Sequence, residues 1–377
     1  FFTKKQLGEN DTCPDCGKPT KLVSEESYFL RLKKYEKKLL EYIKNHADFI
    51  CPETRKNEVI SFIESGLEDL CVSRTSFTWG IQVPSNPKHV IYVWIDALTN
   101  YITALGYLSD DDSLFKKYWP ADLHLVGKEI VRFHAIIWPA LLMALDLPLP
   151  KQVFGHGWLK IDGGKISKSL GNYKDPREYI DKYGVDAVRY YALREVSFGS
   201  DGNFSEEALI ARTNADLANT LGNLLNRTIA MTNKYFDGVI SNSKVNEEID
   251  TELINKASNL KSVVDKNMEK LYISDALEEI FNFLRECNKY IDDTTPWVLA
   301  KEEKQERLQT VLYNLLESIR ISSVLLTPFM PTTTEKIFKQ LNTNLNTYDT
   351  LNEFGALENN HKLGQIEVLF KRIEIEK

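Results

Sequence analysis

Cysteine is scarce in this chain. The five thiols, Cys13, Cys16, Cys51, Cys71 and Cys287, are odd in number and thinly spread over 377 residues, which excludes a disulfide-stapled scaffold and fits a reducing, cytoplasmic compartment. Long apolar runs are missing too. No stretch approaches the roughly 18 residues that a membrane span needs, and the opening Phe1-Phe2-Thr3-Lys4-Lys5 lacks the layout of a secretory signal. That opening also has no initiator methionine, so the sequence is expected to begin inside a longer natural chain. Excess positive charge is absent. With 47 Lys and Arg against 54 Asp and Glu, the formal net charge is -7, which argues against a protein that coats nucleic acid by bulk electrostatics and leaves room only for a local site. There is no internal repeat and no low-complexity tract.

What is present reads as more than one domain, because 377 residues exceed the length that a single core usually serves. Residues 1–75 read as a cysteine-bearing knuckle followed by a helix, with Tyr28, Leu32, Tyr35, Leu39, Leu40 and Ile43 at helical spacing. Residues 76–170 change texture. Short β-rich runs at 90–94, 123–126 and 152–155 alternate with helical stretches such as 130–145, which predicts a parallel sheet with helical crossovers. Residues 171–213 hold short helices, the first capped by Asp175-Pro176 and closed by Gly184. From 214 to 377 nearly everything carries a 3.6-residue period, which predicts an antiparallel helix bundle ending in an extended or helical tail that packs back on the body. The fold class is therefore α/β followed by all-α.

Chemistry concentrates in the run Lys165-Ile166-Ser167-Lys168-Ser169, set behind Asp162-Gly163-Gly164 and ahead of Gly171-Asn172. Two ammonium groups and two hydroxyls within five residues make a cationic clamp suited to a triphosphate. Lysine brings a mobile point charge and three donors, so it can follow phosphate charge as pyrophosphate leaves. A solvated basic turn is the plainer reading of that run alone. Upstream, Gly127-Lys128-Glu129-Ile130 follows an expected strand and opens a helix, the place where an open α/β sheet binds ligands and where helix amides face an anion. Along that helix Ile130, His134 and Trp138 recur every four residues, and the segment 94–101, read as strand and turn, adds Trp94, Ala97 and Tyr101. Together these predict an aromatic, polarizable pocket.

In the later half, Asn223 and Arg227 stand four apart on one helix, and Trp297 follows Thr295-Pro296 at the start of another. An amide, a guanidinium and a stacking plane are the groups that read splayed-out single-stranded bases. Cys13-Pro14-Asp15-Cys16-Gly17 has the spacing of half a zinc knuckle. Tetrahedral zinc needs four ligands, and no second pair lies nearby in the sequence.

Taken in order, Tyr92-Val93-Trp94-Ile95-Asp96-Ala97, the run from Gly127 to His134 with Trp138-Pro139, Gly155-His156-Gly157-Trp158 and the Lys165–Ser169 loop resemble the class I aminoacyl-tRNA synthetases, and within them the methionyl-tRNA synthetase family. The family's loop usually reads Lys-Met-Ser-Lys-Ser, so Ile166 is a conservative departure; Glu129 stands where aspartate is common, and neither change removes a charge. The resemblance runs through essentially the whole chain. It implies a Rossmann-type nucleotide fold, here its second half, joined to a helical anticodon-binding domain. It implies ATP-dependent activation of methionine to methionyl-adenylate and transfer to tRNA(Met), with Mg2+ on the phosphates, Zn2+ at a site left incomplete here, and a monomer or a homodimer as the assembly. By the same resemblance Trp94, Ala97, Tyr101, Ile130, His134 and Trp138 line the methionine side chain. Lys128, Glu129, Lys165, Ser167 and Lys168 serve ATP, Lys165 and Lys168 being catalytic. Asn223, Arg227 and Trp297 read the anticodon, and Cys13 and Cys16 bind metal.

One part of the family's pattern is missing. The His-x-Gly-His loop that grips ATP from the other side is absent, so the chain is expected to be roughly the last two thirds of a synthetase and inactive alone. Two other readings stand beside this one: a non-catalytic tRNA-binding protein that kept the helical bundle, or a class I synthetase for leucine, isoleucine, valine or cysteine. The aromatic set at Trp94, Tyr101, His134 and Trp138 disfavours the second. The principal reading requires Trp94 and Lys168 to share one cleft.

Overall fold

The structure, a computed structural model, describes residues 7–14, 18–161, 164–165 and 175–374. Chain contacts divide it into two compact units, Phe1–Gly155 and His156–Lys377.

In the first unit, the helices Glu36–Asn45 and Glu53–Glu64 bury Leu39, Ile43, Val59 and Ile63 against Val126, Val131, Ala135, Ile136 and Val153. That core backs a three-stranded sheet in which Ile50–Cys51 runs parallel to Val153–Phe154 and His124–Gly127 lies on the far side of the same strand. Two expectations need correction. Tyr28 precedes the first helix: it lies outside the regular elements, its ring 4.6 Å from His89, because a 3-10 turn at Leu32–Tyr35 and a short strand at Phe29–Leu30 intervene. The run 90–94 is not a strand of the parallel sheet. Its first half closes the strand Asn86–Ile91 of an antiparallel sheet with Ser73–Arg74 and Gln82–Val83, and its second half opens the helix Val93–Thr103. Val-Trp-Ile suits either state, and a hairpin partner a few residues away decided the first half.

In the second unit, Asp175 accepts the N–H of Arg177 at 3.0 Å, Pro176 holds the first helical position, and Gly184 at φ +87° ends the helix Pro176–Tyr183. A left-handed residue there is cheapest as glycine. Val185–Arg194 follows, and Ser205 then caps Glu206–Arg212 through Ala208 N–H at 3.3 Å. The chain continues through a π-helical segment Thr213–Gly222 into Asn223–Phe236. The bundle is completed by Glu248–Glu269, Ile273–Thr294, Gln305–Leu326 and Pro331–Leu341. Gln305–Leu326 is buried on every side from Arg307 onward, the mark of a central helix. Its polar residues are therefore paired inside: Arg320 forks onto both oxygens of Glu317, and Glu317 also accepts the N–H groups of Gly355 and Ala356. The tail is not helical. Asn214 brackets Ile373 with two 2.8 Å hydrogen bonds to its N–H and C=O, and Leu369 and Phe370 pack on the bundle core. Among the described residues no helix is long and apolar enough to cross a membrane.

Candidate functional site

The helix Val93–Thr103 anchors itself through Leu98 and Ile102, which are buried with Trp119, Ile137 and Trp138. That anchoring leaves the residues of the adjacent face, Trp94, Ala97 and Tyr101, spaced three and four apart, on one half-buried stripe. Trp94 stacks on Phe133 with ring centroids 3.7 Å apart and planes at 17°. Tyr101 Oη lies 2.9 Å from His134 Nε2, and His134 Nδ1 lies 2.9 Å from the carbonyl of Ile130. A carbonyl only accepts, so Nδ1 carries the proton, Nε2 is the lone-pair nitrogen, and the tyrosine hydroxyl donates to it. Burial pushes the Tyr101 hydroxyl up and the His134 imidazole down, so both stay neutral.

Behind this pair, Trp138 is fully buried and its indole N–H donates to His124 Nε2 at 3.3 Å. Burial, and then the neighbouring His134, pull His124 down to about 4. Trp138 and His134 thus form the floor of the cluster, while Trp94, Ala97, Tyr101 and Phe133 form its half-exposed upper side. The surface is uncharged, aromatic and soft, suited to an apolar or thioether side chain. Sequence reading passed over Phe133 and His124. The first sat inside a motif quoted for its neighbours; the second offered only a polar residue in an apolar strand.

Ile130 packs, half-buried, on the other core with Val126 and Val131, and its carbonyl reaches His134. The reason is local geometry. Lys128–Ile130 is a 3-10 turn and Phe133–Ile137 a π-helical turn, so a four-residue spacing does not keep one face as it would in a uniform α-helix. Lys128 and Glu129 do stand where the strand His124–Gly127 turns into this helix. The Glu129 carboxylate folds back over Gly127, where a Cβ would lie 2.6 Å from Oε2.

Within the second unit, Gly157 is pressed against the chain at Ser200, whose carbonyl oxygen would lie 2.0 Å from an added Cβ. This close crossing lets Trp158 C=O accept the N–H of Gly202 at 2.9 Å and sets Gly202–Phe204 parallel to Leu159–Ile161. Asp201 accepts Trp158 N–H and pairs with Lys160 at 2.8 Å. On the other edge of Leu159–Ile161, Gly164–Lys165 pairs antiparallel, so the backbone at the start of the lysine loop is an extended strand. Ser167 and Lys168, and with them the cleft expected between Trp94 and Lys168, lie outside the described residues.

Asn223 and Arg227 fall one turn apart on Asn223–Phe236. Asn223 is exposed, and Arg227 pairs with Asp292 at 3.1 Å. Trp297 lies in the first turn of Pro296–Lys301, which starts at the left-handed Thr295 directly after the helix that carries Asp292. Nearly half of the Trp297 surface, 46%, faces solvent. An exposed indole, an exposed amide and a surface guanidinium paired with Asp292 are thus presented by these two helices. Cys13 donates its N–H to the carbonyl of Lys18 at 2.9 Å; Cys16 is not described, and among the described residues no three or more His, Cys, Asp and Glu converge as a metal site.

Residues 3–229 match the family model described as tRNA synthetases class I (M), and residues 250–372 match that of the anticodon-binding domain of tRNA ligase. The chain belongs to the class I methionyl-tRNA synthetase family. It is 60% identical to the methionine–tRNA ligase of Caldanaerobacter subterraneus subsp. tengcongensis over all of its own length and 59% of the relative's. It is 56% identical to that of Bacillus subtilis, again over 59% of that protein. The chain thus spans about three fifths of the curated relatives it matches. The structure superposes with a TM-score of 0.92 on Mycobacterium tuberculosis methionyl-tRNA synthetase bound by methionyl-adenylate, at 43% identity, covering 98% of this chain and 74% of that one. The architecture is therefore a class I catalytic domain with a Rossmann-like parallel sheet followed by a helical anticodon-binding domain.

Proposed function

We propose that the full-length protein carrying this chain is a methionine–tRNA ligase, activating methionine with ATP and passing it to tRNA(Met). The observation that carries this reading is the neutral aromatic cluster of Trp94, Phe133, Tyr101, His134 and Trp138. Sulfur–aromatic contacts of about 0.3–1.5 kcal/mol each favour a thioether over a branched aliphatic chain, and no charge in the cluster penalises an apolar guest. Ala97 and Ile130 line the methionine side chain beside these rings, and the Ile130 carbonyl also orients His134.

The methionine carboxylate attacks the α-phosphate in line, giving methionyl-adenylate and pyrophosphate, and the terminal ribose hydroxyl of tRNA then takes the acyl group. No protein nucleophile is needed, so catalysis is positioning plus charge neutralisation. Lys165 and Lys168 meet the phosphates as charge shifts to the leaving pyrophosphate, with magnesium bound to the nucleotide. Lys128, Glu129 and Ser167 hold ATP. Asn223, Arg227 and Trp297 read the anticodon by edge contacts and stacking, which lets an acidic protein bind RNA locally. Cys13 and Cys16 supply two of the four ligands of a tetrahedral zinc, and no step depends on that metal.

Two substitutions in the full-length protein test this division of labour. Lys168→Ala should depress methionine-dependent ATP–pyrophosphate exchange far more than methionine affinity. Trp297→Ala should leave exchange near wild type while aminoacylation of tRNA falls. Equal losses of both activities in both variants would refute the assignment.

A further inference from the structure

We propose that His124 is a positioning residue of the amino-acid pocket, the hydrogen-bond acceptor that fixes the Trp138 indole and backs the Tyr101 ring. The inference rests on reading the aromatic cluster as the methionine pocket. His124 is held at its own backbone, where its N–H donates to Gln152 C=O at 2.8 Å at the start of the strand His124–Gly127. Its side chain is buried and stands at the centre of the cluster. The ring lies 4.3 Å from that of Tyr101, 5.8 Å from that of His134 and 6.3 Å from that of Trp119.

The indole of Trp138 has one polar atom, which can only donate, and the side chain is wholly enclosed. Among the described residues that atom donates to His124 Nε2, at 3.3 Å. Without it a buried donor would be left unsatisfied, and Trp138 would gain by turning its nitrogen toward water or toward another acceptor. The cluster offers little room for that turn without disturbing Tyr101, whose ring centroid is 6.1 Å from that of Trp138 and whose hydroxyl is committed to His134. Two histidines therefore hold the tyrosine: His134 accepts from its hydroxyl and His124 lies against its ring. Both accept through Nε2, His134 from Tyr101 and His124 from Trp138. The Nε2 acceptor role of His124 assigns its remaining proton to Nδ1, the same tautomer as His134.

The inference separates an acceptor from a ring. His124→Phe keeps the ring that backs Tyr101 and removes the acceptor, whereas His124→Gln keeps an acceptor on a flexible stem. In the full-length protein, His124→Phe is expected to raise the methionine KM in ATP–pyrophosphate exchange about tenfold, the size of an unsatisfied buried donor. Its kcat should stay within about twofold and its ATP KM should not move. His124→Gln should recover most of the loss. In a Trp138→Phe background, where no indole remains to be fixed, His124→Phe should add little further effect. A substrate-free readout accompanies the kinetics: the 15N–1H signal of the Trp138 indole, assigned by its loss in Trp138→Phe, should shift in His124→Phe and stay near the wild-type position in His124→Gln.

An unchanged methionine KM in His124→Phe, a fall in kcat equal to the rise in KM, or full additivity with Trp138→Phe would overturn the inference. If His124→Phe does not fold, the wild-type and His124→Gln indole signals decide it, an exposed-like position in both being the refuting result. Failure of the underlying reading would look different. A wild-type protein that exchanges pyrophosphate with another amino acid and not with methionine would refute the methionine pocket, while the indole signal would still report whether His124 fixes Trp138.

Discussion

Tyr101 shows at the scale of one residue how the site uses hydrogen bonds that carry no charge. Its hydroxyl fills the one lone pair left on His134, whose other nitrogen is committed to Ile130 C=O. Tyr101→Phe keeps the ring and strands that buried acceptor, a loss of about 1–2 kcal/mol. It is expected to weaken methionine binding roughly five- to thirtyfold with ATP binding unchanged, measured as the methionine and ATP KM values of the exchange reaction. The buried His124 predicts a pH dependence of stability. Its folded value near 4 lies below the 6.5 of a free imidazole, so between those values the unfolded chain binds a proton that the folded chain refuses. Stability should fall as pH drops from about 6.5 toward 4, by up to about 1.4 kcal/mol per unit from this group. Urea midpoints measured across that window should show the decline, and His124→Gln should make it shallower; an unaltered slope would mean that His124 is not the group responsible.

Among elements, the bundle's central helix carries the clearest test. Glu317 and Arg320 have no exposed side-chain surface, and their 2.7 Å pair is completed by backbone N–H groups at Gly355 and Ala356 and by Thr350 C=O. Removing one charge leaves the other uncompensated in the core. Glu317→Gln should cost about 3–5 kcal/mol and free the segment around Gly355, read as a lower urea midpoint and faster amide exchange there. This pair also shows where sequence reading stops. The period of Gln305–Leu326 identified a helix, but it could not reveal that the helix is buried on all sides, since Arg, Glu and Asn look solvent-facing until their partners are known. Caps were legible: Asp175-Pro176 and Gly184 act within three or four residues, and the structure has each in place. Long-range pairing was not. The strand through Val90 belongs to an antiparallel sheet, and Trp94 to a helix, because partners at Ser73–Arg74 and Gln82–Val83 compete with propensity. The four-residue rhythm of Ile130, His134 and Trp138 did not announce the turns that interrupt it, since 3-10 and π turns leave no clear mark in composition. Conversely, Trp94, Tyr101, His134 and Trp138 stood out in their motifs as one aromatic set, whereas nothing in the sequence singled out His124, whose acceptor contact with Trp138 is a long-range one.

For the molecule as a whole, family membership unites features that look unrelated singly: an acidic chain, a lysine-rich loop, an aromatic cluster and a helical half with an exposed tryptophan. The cluster around Tyr101 is proposed to select methionine by shape and polarizability. The most direct measurement is competition for labelled methionine, at equilibrium, on the full-length protein. Unlabelled methionine should displace the label, while leucine, isoleucine, valine and cysteine should fail at concentrations at least tenfold higher, about 1.4 kcal/mol of discrimination. Displacement by any of those four as readily as by methionine would refute that selectivity.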